Sequence, residues 1–433
     1  MAEGGPMSAV QRFGLSEHPQ RRTLADEVHA RPFERLPSPV RVTHLALATG
    51  ERPPGADHEH IASLCRRFAL APPPEETIHF SAEFGSFRLR WERHTEFSTY
   101  TFFRFDEPPA DPFAATALEL APPDWLAGLP GEVLAAVHLS VEKTQGIDPM
   151  ATFAPGSAVG SLMVGGDAEA YTDFTLRSDG FSRIIVGDRG MTAGQNGRLV
   201  QRLLEIETYR IMALLAFPVA RAIGPELTRL DQTLADIISA IAGPAGDAED
   251  RALLERLIAL AARAEHLSAA HGYRFSAARA YHDLVRERIR ELREQKLPGL
   301  QTVEGFMDRR FGPAMSTCQS VAKRLSQLSA RIARASDLLR TRVDIALEER
   351  NRDLLASMNR RARLQLRLQQ TVEGLSVVAI SYYGVGLIGY AARGAKTLGL
   401  RLDDNLVEAV ALPAVVAAAA FGLRHMRRVL AQR

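Results

Sequence analysis

This sequence has few cysteines and little net charge. Of its 433 residues only Cys65 and Cys318 are cysteines, which provides neither a disulfide framework nor a CxxC metal site. The 53 Lys and Arg residues are offset by 51 Asp and Glu residues, so the formal net charge is +2. That balance excludes a strongly basic nucleic-acid-binding protein. We expect a reducing compartment and no nucleic-acid partner.

Catalytic and cofactor motifs are also lacking. The chain has no GxSxG, no P-loop and no HExxH sequence, and each of these would carry a specific chemistry. A GxGxxG pattern occurs at Gly384, Gly386 and Gly389, but it lies inside an apolar run instead of between a strand and a helix. The sequence therefore predicts a protein that is not an enzyme and that holds no cofactor or metal.

One polar cluster leaves an enzymatic alternative open. Trp91, Glu92, His94 and Glu96 surround a predicted hairpin turn, which we interpret as a polar turn in preference to a site. In the preceding strand, arginines alternate with aromatic and aliphatic residues, and a half-buried strand directs such arginines to solvent. We therefore expect Arg88 and Arg90 to be solvent-facing.

Two long apolar runs lie near the end of the chain. Residues 374–392 contain no charge and would span roughly 28 Å as a helix. Residues 406–423 contain one charge, Glu408, together with Pro413. Runs of this length predict a transmembrane hairpin; a buried helical hairpin of a soluble domain is the alternative.

Basic residues flank this hairpin. Residues 350–370 hold six arginines and one acid, and residues 424–433 hold four arginines and no acid. Because positive flanks remain inside, both termini should be cytoplasmic and a loop of about 13 residues external. Residues 1–22 contain no apolar run of signal-peptide length. We expect the protein to reside in the bacterial inner membrane.

Within the hairpin, two sets of residues are candidates for a role. Four residues at the predicted external mouth would attract cations or merely solvate the loop and cap the second span: Asp403, Asp404, Asn405 and Glu408. Small residues that permit close packing of the helices form the other set: Gly374, Ser381, Gly384, Gly386, Gly389 and Ala391.

The rest of the chain divides by pattern. We predict a tail over residues 1–38, a cytoplasmic α/β-type domain over 39–192, a long-helix stalk over 193–372, the hairpin over 373–424 and a basic tail over 425–433. The expected class is thus α+β followed by long helices. Expected strands and strand pairs are Val40–Ala48, a hairpin turning near His94, and a second hairpin turning at residues 178–180.

Helices are expected throughout the second half. A helix over 58–69 precedes three prolines, and further helices cover 197–221, 226–241 and 247–296, separated at Pro225 and Pro244. From Ala314 a heptad seam begins, at Val321, Leu325, Leu328, Ile332, Ala335 and Leu339. That seam is typical either of a stalk that pairs with copies of itself or of a helical bundle within one subunit.

Four segments carry a resemblance to a known family. They are HARPF (29–33), RWERHTEFSTYTFFR (90–104), RLVQRLLEIETYR (198–210) and the run from Arg350 to Tyr390. Across essentially its full length the chain resembles a bacterial family of uncharacterised membrane-anchored proteins. That resemblance implies a membrane location and no particular activity.

The layout also resembles that of the CorA-type magnesium transporters, which have a cytoplasmic α/β domain, a stalk helix and two C-terminal spans. That family closes its first span with a Tyr-Gly-Met-Asn motif. Here Val385 and Gly386 follow Tyr383 and Gly384, and the match lies in mid-span. We therefore predict a non-enzymatic, membrane-anchored homo-oligomer, a scaffold or sensor; a divergent channel for divalent cations is the alternative.

Overall fold

A computed structural model describes residues 13, 15–22, 24–25, 32–50, 55–144, 148–154, 156–243, 246–397 and 404–430. The chain forms two compact units. The sheet-bearing unit comprises residues 1–243 and 253–335, and the C-terminal unit comprises residues 244–252 and 336–433.

Strands occupy much of the first half of the chain. They are β1 Val40–Ala48, β2 His79–Phe84, β3 Phe87–Arg93, β4 Phe97–Arg104, β5 Glu132–Lys143, β6 Val159–Met163, β7 Ala168–Thr172, β8 Ser182–Asp188 and β9 Gln295–Lys296. Helices intervene and then dominate. They are α1 Ala56–Arg67, α2 Pro123–Ala127, α3 Pro149–Thr152, α4 Ala193–Leu214, α5 Ala216–Ala242, α6 Asp247–Leu292, α7 Val303–Arg310, α8 Gly312–Thr397 and α9 Asp404–Leu430.

The described strands form one nine-stranded sheet in the order β2-β3-β4-β1-β5-β8-β7-β6-β9. All neighbouring strands pair antiparallel except β5 and β8, which pair in parallel. The expected α+β class is confirmed. The strand predicted over Val40–Ala48 is confirmed as β1, the hairpin turning near His94 as β3 and β4, and the hairpin at residues 178–180 as β7 and β8.

One face of the sheet carries an aromatic core. Phe87, Leu89 and Trp91 of β3 point to this face because alternate residues of a strand share a side. They pack with Tyr100 and Phe102 of the neighbouring strand β4. Helix α1 covers this core with buried residues such as Ile61 and Leu64.

Helix α4 covers part of the opposite face. It begins with a capping box, in which Thr192 and Gln195 satisfy each other's backbone N–H groups. The following helix α5 continues through Pro225, so the expected break at that proline is wrong. Proline removes one N–H donor from a helix, and a long, well-packed helix tolerates that loss.

The first part of α8 belongs to the sheet-bearing unit. Its heptad seam is buried at every position from Val321 to Ala335. Arg324 and Arg331 of α8 both form ion pairs with Asp231 of α5, with N–O distances of 3.1 and 2.9 Å. Helices of the same chain therefore cover this part of the seam, which is the bundle alternative.

Apolar side chains of the C-terminal unit are largely exposed. Among the described residues, three helical stretches are long and apolar enough to cross a membrane, namely Ala193–Ala242, Gly312–Ala395 and Leu406–His425. One third of the apolar window is buried in the first stretch, and none of it in the third. The architecture is thus an α+β unit followed by long apolar helices.

Candidate functional site

A polar cavity of about 240 Å³ lies between the sheet and α4. Strands β1, β3 and β4 form its floor, and α4 forms one wall, with Arg288 of α6 and the segment Glu34–Leu36 beside it. All of these residues belong to the sheet-bearing unit. The polar lining residues are Glu34, His44, Arg90, Glu92, His94, Thr99, Thr101, Gln201, Glu205, Thr208, Tyr209 and Arg288.

Strand alternation places the polar residues in the cavity. Because Leu89 and Trp91 face the aromatic core, Arg90 and Glu92 face the other side of the sheet. Arg90 pairs in register with Thr101, and Thr101 pairs with His44 on the next strand. Three strands thus contribute one row of polar side chains to the cavity floor.

His44 connects the sheet to α4. Its Nδ1 lies 2.8 Å from the Thr101 hydroxyl, and its Nε2 lies 3.1 Å from the Thr208 hydroxyl. The Thr208 hydroxyl donates its proton to the carbonyl of Leu204, so it accepts from His44 Nε2–H, and Nδ1 accepts from Thr101. Burial lowers the pKa of His44 to about 4. His44 is therefore a neutral bridge with both nitrogens engaged.

Arg90 is the most deeply buried cation of the cavity, with a side chain 5% exposed. Its Nη2 donates to Glu92 over 2.8 Å, and its Nη1 donates to Gln201 over 3.3 Å. Burial alone would raise the pKa of Glu92, but the charge and hydrogen bond of Arg90 outweigh it and hold this pKa below its usual value. Glu92 is therefore ionised near neutral pH.

Two donors of the cavity lining have no protein acceptor among the described residues. They are Nε of Arg90 and the hydroxyl of Thr99. Thr99 pairs in register with Glu92, one row from Arg90. Buried polar groups in native structures usually find partners, so these two donors mark the part of the cavity with unused hydrogen-bonding capacity.

Helix α4 contributes one carboxylate to the cavity, that of Glu205, and it already accepts two hydrogen bonds. Glu205 accepts from Gln201 Nε2 over 2.8 Å and from Arg288 Nε through a short hydrogen bond.

On another side of the cavity, the loop before β1 packs closely against α4. A side chain on Gly197 would collide with the carbonyl of Glu34, so glycine is required where this loop crosses α4.

The residues of the polar cluster around the β3–β4 turn do not lie together in one site. Glu92 and His94 line the cavity, whereas Trp91 lies in the aromatic core on the opposite face. Glu96 forms an ion pair with Arg274 of α6, with an N–O distance of 2.9 Å. The expectation that Arg90 faces solvent is wrong, because α4 covers the face that the alternation assigned to water and Arg90 is buried there. Arg88 is partly exposed and pairs with Glu34 and Glu83.

Metal-ligating side chains and the two thiols were the remaining candidates for chemistry in the part of the chain that the structure describes. No three His, Cys, Asp or Glu side chains there are placed to hold a metal ion. Cys65 and Cys318 are buried free thiols, and burial raises the pKa of both. With His44 fully hydrogen-bonded, the arrangement is suited to binding a polar ligand.

The candidate residues at the hairpin mouth are only partly described. Asp403 lies outside the described residues, as do the side chains of Asp404 and Asn405 at the start of α9. Glu408 is described, and its Oε1 lies 3.7 Å from Arg393 Nη2. The one described acid of the predicted mouth therefore has a cationic neighbour.

The small residues of the hairpin occupy different surroundings. A Cβ on Gly384 would lie 2.7 Å from Val415 of α9, and a Cβ on Gly389 would collide with the carboxylate of Glu408. Gly374 and Gly386 have open space around them. Ser381 is buried, whereas Ala391 is exposed. Gly384 and Gly389 are thus the two glycines next to which α9 passes closely.

Comparison with known proteins identifies the family. A family model described as "Protein of unknown function (DUF3422)" matches residues 16–430, so the chain belongs to that family. A search of curated proteins finds no match. The expected membership of an uncharacterised family is confirmed, whereas the similarity to CorA-type transporters is not supported.

Proposed function

We propose that this DUF3422 protein is an integral protein of the bacterial inner membrane, anchored by the hairpin of α8 and α9, with the sheet-bearing unit in the cytoplasm. One observation carries the proposal: the large apolar side chains of both hairpin helices are uncovered. Leu387 is 70% exposed and Phe421 is 74% exposed, and none of the apolar window of Leu406–His425 is buried.

Such a surface is unfavourable in water. Burying apolar surface is worth about 25 cal/mol per Å², and soluble monomers rarely expose long contiguous apolar patches. A bilayer would cover these side chains and leave the backbone hydrogen bonds of the helices intact. The stretch Ala193–Ala242, of similar apolar character, is partly covered by its own chain, so we do not propose it as a span.

Flanking charges support the orientation. Arginines cluster in residues 350–367 before the first span and in residues 424–433 after the second, and such residues are retained in the cytoplasm. The proposed role is that of a non-enzymatic scaffold or sensor, assembled as a homo-oligomer. Exposed leucines of α8 ahead of the span, among them Leu354 and Leu364, support self-association.

The alternative of a cation channel stays a prediction. It requires a closed ring of subunits, because two helices per subunit cannot enclose a pore. Light scattering of the detergent-solubilised protein measures this: a pentamer would favour the channel, and a monomer or dimer would exclude it. In a channel, Asp403→Ala with Asp404→Ala would reduce divalent-cation flux into liposomes.

Deletion of residues 371–433 tests the anchor. We expect the full-length chain to sediment with membranes and to resist extraction by alkaline carbonate, and the truncated chain to remain in the supernatant. The matched control is deletion of residues 425–433, which removes the basic tail and retains both spans. A truncated chain that still resists carbonate extraction would contradict the proposal.

A further inference from the structure

We propose that the polar cavity between the sheet and α4 is a binding site for a small organic carboxylate. The site combines unused hydrogen-bond donors, acids that are already paired with arginines, and an apolar wall in one partly open cavity. It lies within the sheet-bearing unit, so the inference goes beyond the proposed membrane anchor and does not depend on it.

The guanidinium of Arg90 is buried with one of its donors unused. Its guanidinium is 5% exposed, yet its Nε has no acceptor among the described residues. A buried donor without a partner costs free energy, more so when the donor is charged. A planar guanidinium presents paired N–H groups that match the two oxygens of a carboxylate. A carboxylate at this edge of Arg90 would remove that cost.

Thr99 adds a second donor. Its hydroxyl is buried and has no described partner, and its register position opposite Glu92 places it one row from Arg90 on the neighbouring strand. A hydroxyl is able to donate to a carboxylate oxygen. Two unsatisfied donors on adjacent strands therefore point to an acceptor group that is not part of the protein.

The acids of the lining explain why the ligand should supply acceptors and not donors. Glu205 already accepts hydrogen bonds from Gln201 and Arg288. Glu34 already accepts from Ser81 and Arg88. Glu92 accepts from Arg90 Nη2. Each of these three acids is thus already paired with an arginine of the protein, whereas the two donors have no acceptor among the described residues.

Size and the apolar wall distinguish an organic acid from an inorganic anion. A cavity of about 240 Å³ has room for several ordered waters or for a small organic molecule. Leu36, Phe103, Val200 and Leu204 also line it, and they would contact hydrocarbon favourably. A phosphate ion would leave this wall facing water.

Thermal unfolding of the full-length protein in detergent tests the proposal. Both tryptophans of the chain, Trp91 and Trp125, lie in the aromatic core of the sheet-bearing unit, so their fluorescence follows that unit. The probes are butyrate, hexanoate and benzoate, each paired with its neutral amide, together with inorganic phosphate. We expect at least one carboxylate to raise the unfolding temperature saturably, and its amide and phosphate to leave it unchanged.

Two variants locate the site. Arg90→Gln should raise the half-saturating carboxylate concentration about ten-fold or more, because a charge-assisted hydrogen bond is lost. Thr99→Val should raise it about five-fold through loss of one neutral hydrogen bond. Thr99→Val removes a hydroxyl without a described partner, so it should fold normally even if Arg90→Gln does not. Arg66→Gln on the exposed side of α1 is the control and should bind as the parent does.

Four outcomes would overturn the proposal. They are equal stabilisation by the amides, stabilisation by phosphate alone, no stabilisation by any probe, and unchanged carboxylate binding in Thr99→Val. The carbonate-extraction test of the anchor is read out separately, so failure of one proposal leaves the other measurable.

Discussion

The two units of this chain treat polar and apolar side chains in opposite ways. In the sheet-bearing unit, Phe102 is fully buried and even Arg90 and His44 are inside. In the C-terminal unit, Phe421 and Leu387 are exposed, whereas Ser381 is buried. Water selects the first arrangement, and a hydrocarbon solvent suits the second. With the proposed membrane anchor, one polypeptide would have a unit folded for water and a unit suited to a bilayer.

The largest expected effect concerns the same substitution in the two units. Phe102→Ala should destabilise the sheet-bearing unit by about 3 to 5 kcal/mol, because it leaves a cavity in a fully packed core. Phe421→Ala, at an exposed phenylalanine, should leave that unit unchanged. Urea unfolding in detergent, followed by tryptophan fluorescence, measures both variants. Similar losses in the two variants would mean that α9 is part of the same folded core, and that the two units do not differ in this way.

A charge placed in the hairpin sharpens the comparison. Leu387→Arg should weaken membrane insertion by about 2.5 to 3.5 kcal/mol, the cost of an arginine at the centre of a spanning helix. In water, the same change at an exposed site would have little effect. The fraction of protein resisting carbonate extraction measures it.

The matched control for this charge is Leu338→Arg, at an exposed leucine of α8 ahead of the apolar run. Its extraction should equal that of the parent. If Leu387→Arg is retained in membranes as fully as Leu338→Arg, residue 387 does not lie in the bilayer.

Lowering the pH should have a smaller effect on the free energy of unfolding of the sheet-bearing unit. Burial lowers the pKa of His44 and of His138 to about 4. Since the folded pKa is below the unfolded value of about 6.5, the unfolded chain takes up protons first as pH falls. The stabilisation that comes from keeping these two histidines neutral is therefore fully present above about pH 6.5 and declines as the pH falls towards 4. From pH 6.5 to 5 the free energy of unfolding should fall by about 1.6 kcal/mol for each of the two histidines.

Urea unfolding at pH 7, 6 and 5 checks this. His44→Gln should remove its own share of the decline, to which His60 and His282, whose pKa burial also lowers, contribute as well. His266→Gln, at an exposed histidine of α6, is the matched control. A stability that is constant across this range would show that neither histidine is buried in the neutral form.

The sequence pattern alone was sufficient to predict strands in which apolar and charged residues alternate strongly. Phe87, Leu89 and Trp91 alternate with charged residues, and the hairpin of β3 and β4 follows from them. Strand β2, His79–Phe84, was not predicted, because its half-buried residues have weak alternation. Helix α5 was divided at Pro225, because the sequence does not show the packing that compensates for one lost hydrogen bond.

The cavity could be predicted only in part. Glu92 and His94 attracted attention as a polar cluster, but Arg90 meets Gln201 across 111 positions of sequence. His44 meets Thr208 across 164 positions. Such contacts depend on which face of the sheet α4 covers, and no local pattern specifies that. This is also why Arg90 was expected in solvent.

The two buried cysteines have a practical consequence for mapping this chain. Cys65 and Cys318 are inaccessible, and burial raises the pKa of their thiols, so maleimide reagents should react with them slowly. Single cysteines could therefore be introduced between residues 393 and 405 or after residue 424 without first removing the native ones. A membrane-impermeant label applied to intact cells would then report which side of the bilayer each position faces.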